Sequence, residues 1–519
     1  MSEEELGFLA YEHHKNNDLI KAQQYYEKLL KIDSTRFDVC NNLGVIYQSQ
    51  GDLHNAQSCY EKALLLNPLY VDALNNLGTL YKVQNDLSSA QDCYEKALYL
   101  SPNNANLHSN LAALYRIKGD LHVAKNYYKK ALSIDAKHID ALNNLTLIYK
   151  WTNDFEEAEM YAKKVIEIDP NNTDAYNNLG VIYKENNELV KADSYYKKAI
   201  ELDPTSVDTL LNISLLHLLQ KEYEKGFALY RYRYHKYDLY INTELVKNMH
   251  LIQSLEELEG KKVLVSFEQG FGDAIQFIRF ASLLRSVNAE FSFYIQEPLQ
   301  RIFSYNFPDI AFVGSDRLKE FSYYFPIMDA SYLLGLTYEN IPSKDGYLKV
   351  DEKDVNEFIL ANDLKADEKK IGFAFKGSHL HQNDENRSIE LLTFIKGVLP
   401  LQEDIKLYSL QFGLDVKEKK LLQEYGITDL GSKIENFYDT AIMVQCMDSM
   451  MTVDSSLVHV SGALAKKSYL MLPFAPEWRW GIDDSTTNWY DSVKIYRQKR
   501  TAQWSDVFEA VVKDILDEL

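Results

Sequence analysis

The stretch TVDSSLVHVSGALAKK, residues 452–467, places an acid, two hydroxyl residues and a histidine where an apolar segment gives way to a helical pattern. We expect a strand to end at Asp454, and Ser455 and Ser456 to cap the helix that follows, because the first backbone N–H groups of a helix lack partners within it. Such a helix start binds anions. His459 follows one turn later on the same face. These residues predict an anion site, and the alternative is a plain capped helix in an α/β domain.

A second stretch with chemical potential is FEQGFGDAIQFIRF, residues 267–280, which follows the apolar run VLVS. It places Gly270, Gly272 and Asp273 where a strand should turn into a helix. The dinucleotide signature G-x-G-x-x-G requires a third glycine, and that position holds Ile275. A dinucleotide site is therefore excluded. The residues leave open whether Asp273 takes part in chemistry or only caps its helix.

The elements that must position these residues alternate through the second half of the chain. Apolar segments and helical patterns follow one another from KKVLVSF to SYLMLP, which predicts parallel sheets with both faces covered. The alternation lapses around 341–365 and then resumes. We therefore expect two Rossmann-like lobes, at 262–365 and 366–519, with a cleft between them. Ligands bind at the carboxyl ends of the strands in such sheets.

The first half of the chain is a repeat. NNLGVIY at 41–47 returns as NNLGTLY at 75–81 and as NNLGVIY at 177–183, on a period of 34 residues, with alanines and tyrosines at fixed offsets. The pattern resembles the tetratricopeptide repeat, in which pairs of antiparallel helices stack into a superhelix with a concave groove. We expect this solenoid at 1–238, with six clear units after a degenerate first one, and a connector at 239–261.

One polar position recurs every 34 residues, directly before a leucine or isoleucine in each unit. It holds Asn42, Asn76, Asn110, Asn144, Asn178 and Asn212. Asparagine is less favourable in a helix than alanine by up to about 0.7 kcal/mol, and its amide both donates and accepts hydrogen bonds. We hypothesise that this asparagine ladder holds the backbone of an extended acceptor peptide. The alternative is that duplication copied a tolerated polar residue.

Composition limits the classes of partner. The chain has 519 residues, 46% of them hydrophobic, and a formal net charge of −20. Phosphate backbones repel an acidic protein, so we expect no nucleic-acid partner. No apolar run is long enough for a membrane span, and the acidic N-terminus lacks a signal pattern. We expect a cytoplasmic protein, and the oligomeric state stays open.

The motifs of the second half carry a further resemblance. EQGFGDAIQF, NDENRSI, and VDSSLVHVSGAL followed by LPFAPEWRWG resemble bacterial tetratricopeptide-repeat glycosyltransferases, which are related to heptosyltransferases and more distantly to O-GlcNAc transferase. The resemblance implies a GT-B catalytic region of two Rossmann-like lobes. It also implies inverting transfer from a nucleotide sugar, with no metal and no further cofactor. His379 and His381 could form a metal pair, but no acid cluster lies at ligand spacing.

The resemblance assigns roles to individual residues. Asp273 matches the acid that acts as base in heptosyltransferases, with the neighbouring glycines clearing space for the acceptor. Arg387 matches a basic residue that contacts the donor phosphate. The donor site also takes in Asp454, Ser455, Ser456 and His459. Lys376 either adds positive charge there or is a solvated lysine.

These expectations combine into a function. The chain is expected to move a sugar from a nucleotide sugar to a protein Ser or Thr held by the asparagine ladder, with flagellin as one candidate acceptor by analogy. Two alternatives stay open, a catalytically inactive repeat scaffold and a transferase that extends surface glycans. The sequence names neither the sugar nor the nucleotide.

Overall fold

The computed structural model describes residues 1–236, 246, 248–379 and 383–518. The chain divides into two compact units, Met1–Ile182 and Tyr183–Leu519. The predicted connector at 239–261 falls partly outside the described residues, at 239–245 and 247, and so does His381.

Within the fully described stretch 1–236, fourteen α-helices follow one another. They are α1 Glu3–Lys15, α2 Leu19–Ile32, α3 Phe37–Ser49, α4 Leu53–Leu66, α5 Val71–Val83, α6 Leu87–Leu100, α7 Ala105–Ile117, α8 Leu121–Ile134, α9 Ile139–Trp151, α10 Phe155–Ile168, α11 Thr173–Glu185, α12 Leu189–Leu202, α13 Val207–Leu219 and α14 Tyr223–Tyr230. Odd-numbered helices are the A helices of the repeats and even-numbered helices are the B helices. Each A helix from α1 to α9 packs on the B helix that follows it.

Small and aromatic residues at fixed positions hold each pair together. Ala56 and Tyr60 of α4 are fully buried. A Cβ atom on Gly44 of α3 would lie 2.6 Å from the Tyr60 ring, so the glycine in NNLG allows the tyrosine to pack against the A helix. Five of the seven B helices start after an aspartate, such as Asp52, whose carboxylate accepts the N–H of Asn55 at 3.1 Å.

The second unit contains twelve strands among its described residues. They are β1 His250–Leu251, β2 Lys262–Ser266, β3 Glu290–Tyr294, β4 Ala311–Val313, β5 Tyr323–Pro326, β6 Lys369–Ala374, β7 Ile405–Ser409, β8 Thr428–Asp429, β9 Ser449–Val453, β10 Ser468–Leu472, β11 Thr486–Thr487 and β12 Tyr490–Arg497. The intervening α-helices are α15 Phe271–Phe277, α16 Ala281–Leu284, α17 Gln300–Asn306, α18 Ala330–Leu333, α19 Glu352–Ala361, α20 Asp384–Arg387, α21 Leu391–Val398, α22 Val416–Glu424, α23 Phe437–Gln445, α24 Ser456–Ala463 and α25 Ser505–Asp517.

The strands form two sheets. The first has the order β1-β5-β2-β3-β4 and is entirely parallel. The second has the order β11-β12-β10-β9-β6-β7-β8, with only β11 antiparallel to its neighbour. Parallel sheets with helices confirm the predicted α/β class for this half of the chain.

Apolar side chains cover both faces of the second sheet. One cluster joins the last repeat pair, through Tyr223 and Phe227, to the first sheet and to one face of the second. A second cluster fills the other face, where Phe394 of α21 stacks on Phe373 with ring centroids 4.7 Å apart. Phe508 of α25 packs edge-on against the same Phe394 ring. Nowhere in the described part of the chain is there a helix both long and apolar enough to cross a membrane.

Candidate functional site

The two predicted motifs meet at the starts of α15 and α24. Helix α15 follows β2 of the first sheet, and α24 follows β9 of the second. The helices pack directly on each other. A Cβ atom on Gly272 would lie 2.8 Å from Cδ2 of His459. The expectation that this glycine clears space for an acceptor is therefore wrong here, because the His459 ring occupies that space.

Asp273 has two roles in the geometry. Its carboxylate accepts the N–H of Gly270 at 3.1 Å, so it does cap α15. It also forms an ion pair with Arg479, from the 3₁₀ turn Trp478–Trp480 that follows β10. Arg479 donates to Gln276 Oε1 at 2.6 Å as well. Asp273 therefore caps its helix, as one of the two interpretations predicted. Its role as a base stays a prediction.

Asp454 lies directly after β9 and is only 6% exposed. Burial, with the nearby Glu477 carboxylate, raises the pKa of Asp454 to about 6. Arg387 and Arg479 oppose that shift. A carboxyl group with a raised pKa, surrounded by arginines, is typical of functional sites.

We expect Asp454→Asn to remove a pH-dependent loss of stability. The carboxyl pKa is 3.8 in the unfolded reference and about 6 in the folded chain, so the stabilising effect of protonation is complete below pH 3.8 and is lost as the pH rises through 6. This difference between the folded and unfolded pKa of Asp454 corresponds to roughly 3 kcal/mol of stability. The free energy of unfolding of the variant, relative to wild type, should therefore rise by up to about 3 kcal/mol between pH 4 and pH 7.5, measured by urea denaturation.

The matched control for this measurement is Asp491→Asn, since Asp491 is an exposed carboxylate on β12 of the same sheet. Its unfolding curves should follow those of wild type at every pH. If Asp454→Asn also followed wild type, the buried carboxyl would not be the titrating group.

His459 is held as a neutral ring. Burial keeps the pKa of His459 well below its usual value, and the charges of Arg479, Arg279 and Arg387 lower it further. Its Nδ1 lies 3.0 Å from the Tyr490 hydroxyl. The charges of three guanidinium groups thus act on the His459 ring.

Only one of the two serines expected to cap α24 does so. Ser455 is the residue that caps α24, and its hydroxyl accepts the N–H of Leu457 at 3.4 Å. The same hydroxyl lies 3.2 Å from Thr452 Oγ1. Ser456 is the first helical residue and not a cap, which corrects the sequence expectation.

Arg387 and Lys376 lie near one another in the chain but differ in setting. Arg387 ends the short helix α20, is 9% exposed, and makes two long contacts, 3.4 Å to the Asp384 carboxylate and 3.5 Å to the Ser378 carbonyl. Gly377 allows its approach, since a Cβ atom there would lie 2.6 Å from the guanidinium. The ammonium of Lys376 is instead paired with Glu418 at 2.5 Å. A neighbouring carboxylate therefore neutralises Arg387 less closely than Lys376, and Arg387 is the better placed of the two to bind an anion.

Arg279 and Arg479 are the site residues that sequence reasoning missed. Arg279 is 1% exposed and donates to the backbone carbonyl of Trp489 at 2.8 Å. Its guanidinium lies 4.6 Å from the ring centroids of both Tyr347 and Tyr490. No carboxylate in the described part of the chain forms an ion pair with it. The signal for Arg479 available in the sequence was a basic residue between two tryptophans at 478–480, and both tryptophans are buried.

All six ladder asparagines are half-buried on A helices. Asn76 and Asn110 donate to the Oδ1 atoms of Asn41 and Asn75 in the preceding repeat, at 3.0 and 2.7 Å. The ladder therefore has a role in joining repeats that the sequence did not predict.

The fourth member of the ladder, Asn144, behaves differently. It donates to the Asp140 carbonyl of its own helix at 2.8 Å. The residue that would correspond to Asn41 and Asn75 is Ser109, which has no amide oxygen to accept the bond. Contact with an acceptor peptide stays a prediction for the whole ladder.

Comparison with known proteins identifies the first half. Family profiles described as tetratricopeptide repeat match residues 6–36, 37–103, 73–137, 103–171 and 173–206. A tetratricopeptide repeat protein from Parabacteroides merdae ATCC 43184 is 20% identical, with a TM-score of 0.39, over 47% of this chain and 97% of that one. PilF of Pseudomonas aeruginosa is 20% identical, with a TM-score of 0.37, over 40% and 94%. No curated protein matches the chain. The predicted tetratricopeptide repeats at the N-terminus are confirmed.

Proposed function

We propose that the chain is a glycosyltransferase that moves a sugar from a nucleotide sugar to a protein Ser or Thr. The observation that carries the proposal is the surroundings of the start of α24. The charges of Arg387 and Arg479 act on Asp454, which directly precedes α24, burial keeps His459 neutral within that helix, and the carboxylate of Asp273 forms an ion pair with Arg479. An anion site beside an acid is the arrangement that sugar transfer from a phosphate leaving group requires.

The donor phosphate would lie against the first N–H groups of α24, with Arg387 neutralising it. Charge-assisted contacts of this kind contribute roughly 1.5–3 kcal/mol each. They strengthen as the sugar–phosphate bond breaks and negative charge builds on the leaving phosphate. No metal is needed for this step, because the arginines supply the positive charge.

Asp273 would accept the proton of the acceptor hydroxyl as that oxygen attacks the sugar carbon on the face opposite the phosphate. Its ion pair with Arg479 is part of the proposed cycle. A bound phosphate competes for the Arg479 guanidinium, and transfer of that contact to the phosphate frees the carboxylate to act as base. Donor binding and activation of the base are thereby linked.

Replacing Arg387 by alanine tests the donor site. Nucleotide affinity measured by calorimetry should fall about tenfold or more, because a buried charge-assisted contact to phosphate is lost. The nucleotide is first chosen by a thermal-shift screen over UDP, GDP, ADP and CMP sugars, since a bound ligand raises the apparent stability.

Arg500→Ala is the matched control, because Arg500 is an exposed arginine that follows β12 in the chain. It should leave nucleotide affinity unchanged. An Arg387→Ala affinity equal to that of wild type would remove Arg387 from the donor site.

One observation favours a second candidate, a repeat scaffold without catalysis. Gly272 packs on His459, and Arg479 neutralises Asp273, so side chains fill the point where the two helix starts meet. Tetratricopeptide repeats are in any case protein-interaction modules. Hydrolysis of the bound nucleotide sugar without acceptor separates the two, since a scaffold releases no free sugar.

A further inference from the structure

The last turns of three neighbouring A helices repeat one dipeptide pattern, a cation followed by an apolar residue. The pairs are Lys82–Val83 in α5, Arg116–Ile117 in α7 and Lys150–Trp151 in α9. These A helices also contact one another from repeat to repeat. Lys82, Arg116 and Lys150 are called the basic row, and Val83, Ile117 and Trp151 the apolar row.

The apolar row is open to solvent. Val83 is 60% exposed, Ile117 48% and Trp151 47%. A single exposed apolar side chain is ordinary, but here the last residue of the A helix is apolar and exposed in three successive repeats. Larger exposed apolar surfaces mark interaction sites.

Two members of the basic row, Lys82 and Arg116, lack a carboxylate partner among the described residues. In the described part of the first unit, no carboxylate forms an ion pair with Lys82 or Arg116. The Arg116 guanidinium lies 5.7 Å from the Trp151 ring centroid, and its Nε is buried without a hydrogen-bond acceptor. Burial and the charge of Arg116 lower the pKa of Lys82. Two like charges that are partly desolvated favour an incoming anion.

The rows have a defined place relative to the asparagine ladder. Asn76 and Val83 are seven residues apart, about two helical turns, so they lie on the same side of α5. The first turns of the same helices carry the exposed acids Asp72 and Asp140. The amide ladder therefore runs between an acidic edge and the basic row.

We propose that the basic and apolar rows bind an extended protein segment that carries acidic side chains along one edge. Charge complementarity selects this occupant, because the protein is acidic overall at −20 and yet Lys82 and Arg116 form no ion pair with a carboxylate in the described part of the first unit. A strand-like segment sends alternate side chains to opposite edges, about 3.3 Å per residue. Acids at alternate positions thus face the basic row and stay away from Asp72 and Asp140. The inference rests on the proposed function in that the segment would be the acceptor, but binding itself requires no sugar transfer.

The test uses the full chain and two labelled peptides of about twelve residues, long enough to span three repeats at about 9 Å each. One alternates Asp with Thr, and the other has Asn in place of every Asp. Fluorescence anisotropy at low salt should give a Kd about tenfold lower for the Asp peptide, and the preference should fade as salt rises. Equal affinity for both peptides, or no binding of either, would overturn the proposal.

A pair of charge variants localises the effect. Lys82→Gln with Arg116→Gln should reduce the preference for the Asp peptide about tenfold. Lys96→Gln with Lys130→Gln removes the same charge from exposed positions on α6 and α8 and should leave the preference intact. Circular dichroism verifies that both variants are folded. If the first variant still preferred the Asp peptide, Lys82 and Arg116 would not be the residues that select acidic segments. If the chain preferred the Asp peptide but transferred no sugar, only the proposed function would be contradicted.

Discussion

Asp273→Asn is expected to reduce sugar transfer by about 100-fold or more while the nucleotide sugar still binds. General-base catalysis contributes about 10²–10⁴-fold, and an amide of nearly the same shape cannot accept the acceptor proton. The rate of sugar transfer is measured with the donor selected by thermal shift, and binding of that donor is measured by calorimetry. A rate within threefold of wild type would remove Asp273 from the mechanism.

The ion pair with Arg479 calls for a control that separates catalysis from packing. Arg479→Gln breaks the same pair but leaves the carboxylate in place. If Asp273 is the base, Arg479→Gln retains more turnover than Asp273→Asn, because its carboxylate is still present to accept the proton. If the pair is only structural, both variants lose the same stability and the same turnover.

Arg233→Met is expected to destabilise the second unit by about 3–5 kcal/mol, the usual cost of removing one partner from a buried ion pair. Arg233 is fully buried, and its guanidinium contacts Glu268 at 2.6 and 2.9 Å and Asp329 at 2.9 Å. Without it, the buried Glu268 carboxylate loses its ion-pair partner, and the buried Asp329 keeps only its pair with Arg231. Urea denaturation gives the free energy of unfolding.

The control for this prediction is Arg285→Met, which breaks an exposed pair with Asp309 on the same half of the chain. Exposed pairs contribute about 0–1 kcal/mol, so this variant should remain close to wild type. Adding Glu268→Gln to Arg233→Met should recover part of the loss, because burial raises the pKa of Glu268 and the ionised form is then the costly one. No recovery would mean that the methionine disturbs packing instead.

Glu268 also connects stability to the site. It belongs to the turn that leads from β2 to Asp273, and Arg233 belongs to the 3₁₀ segment that follows the last repeat helix. The salt bridge thus fixes the turn on which Asp273 depends. Sequence inspection gave no reason to connect these two segments, since neither shows a pattern that depends on the other.

Local pattern predicted the helix starts of this site well. A strand, a turn with small residues and a helix put Asp273 and Ser455 at helix N-termini, because capping depends only on a few neighbouring residues. The repeat was equally readable, since the period places every alanine and tyrosine at once. Both predictions rest on interactions within about forty residues of chain.

Long-range packing supplied what the sequence could not. Arg479 reaches Asp273 across 206 positions, and Arg279 reaches Trp489 across 210. Gly272 was expected to open space, yet the ring of His459 fills it, because the contact depends on how two helices from different sheets approach. Spacing within one segment carries no information about such approaches.

The interrupted amide ladder sets where the solenoid can come apart. In a linear array, each repeat depends mainly on its neighbours, so cooperativity passes through the interfaces one at a time. Asn41 and Asn75 each receive a bond from the next repeat, while Ser109 offers none and the Oδ1 of Asn143 is buried without a donor. The interfaces after α7 and α9 therefore lack a bond that the interfaces after α3 and α5 possess. Pulled from its ends, such an array separates first at its weakest joint, and the leading repeats hold together as one block.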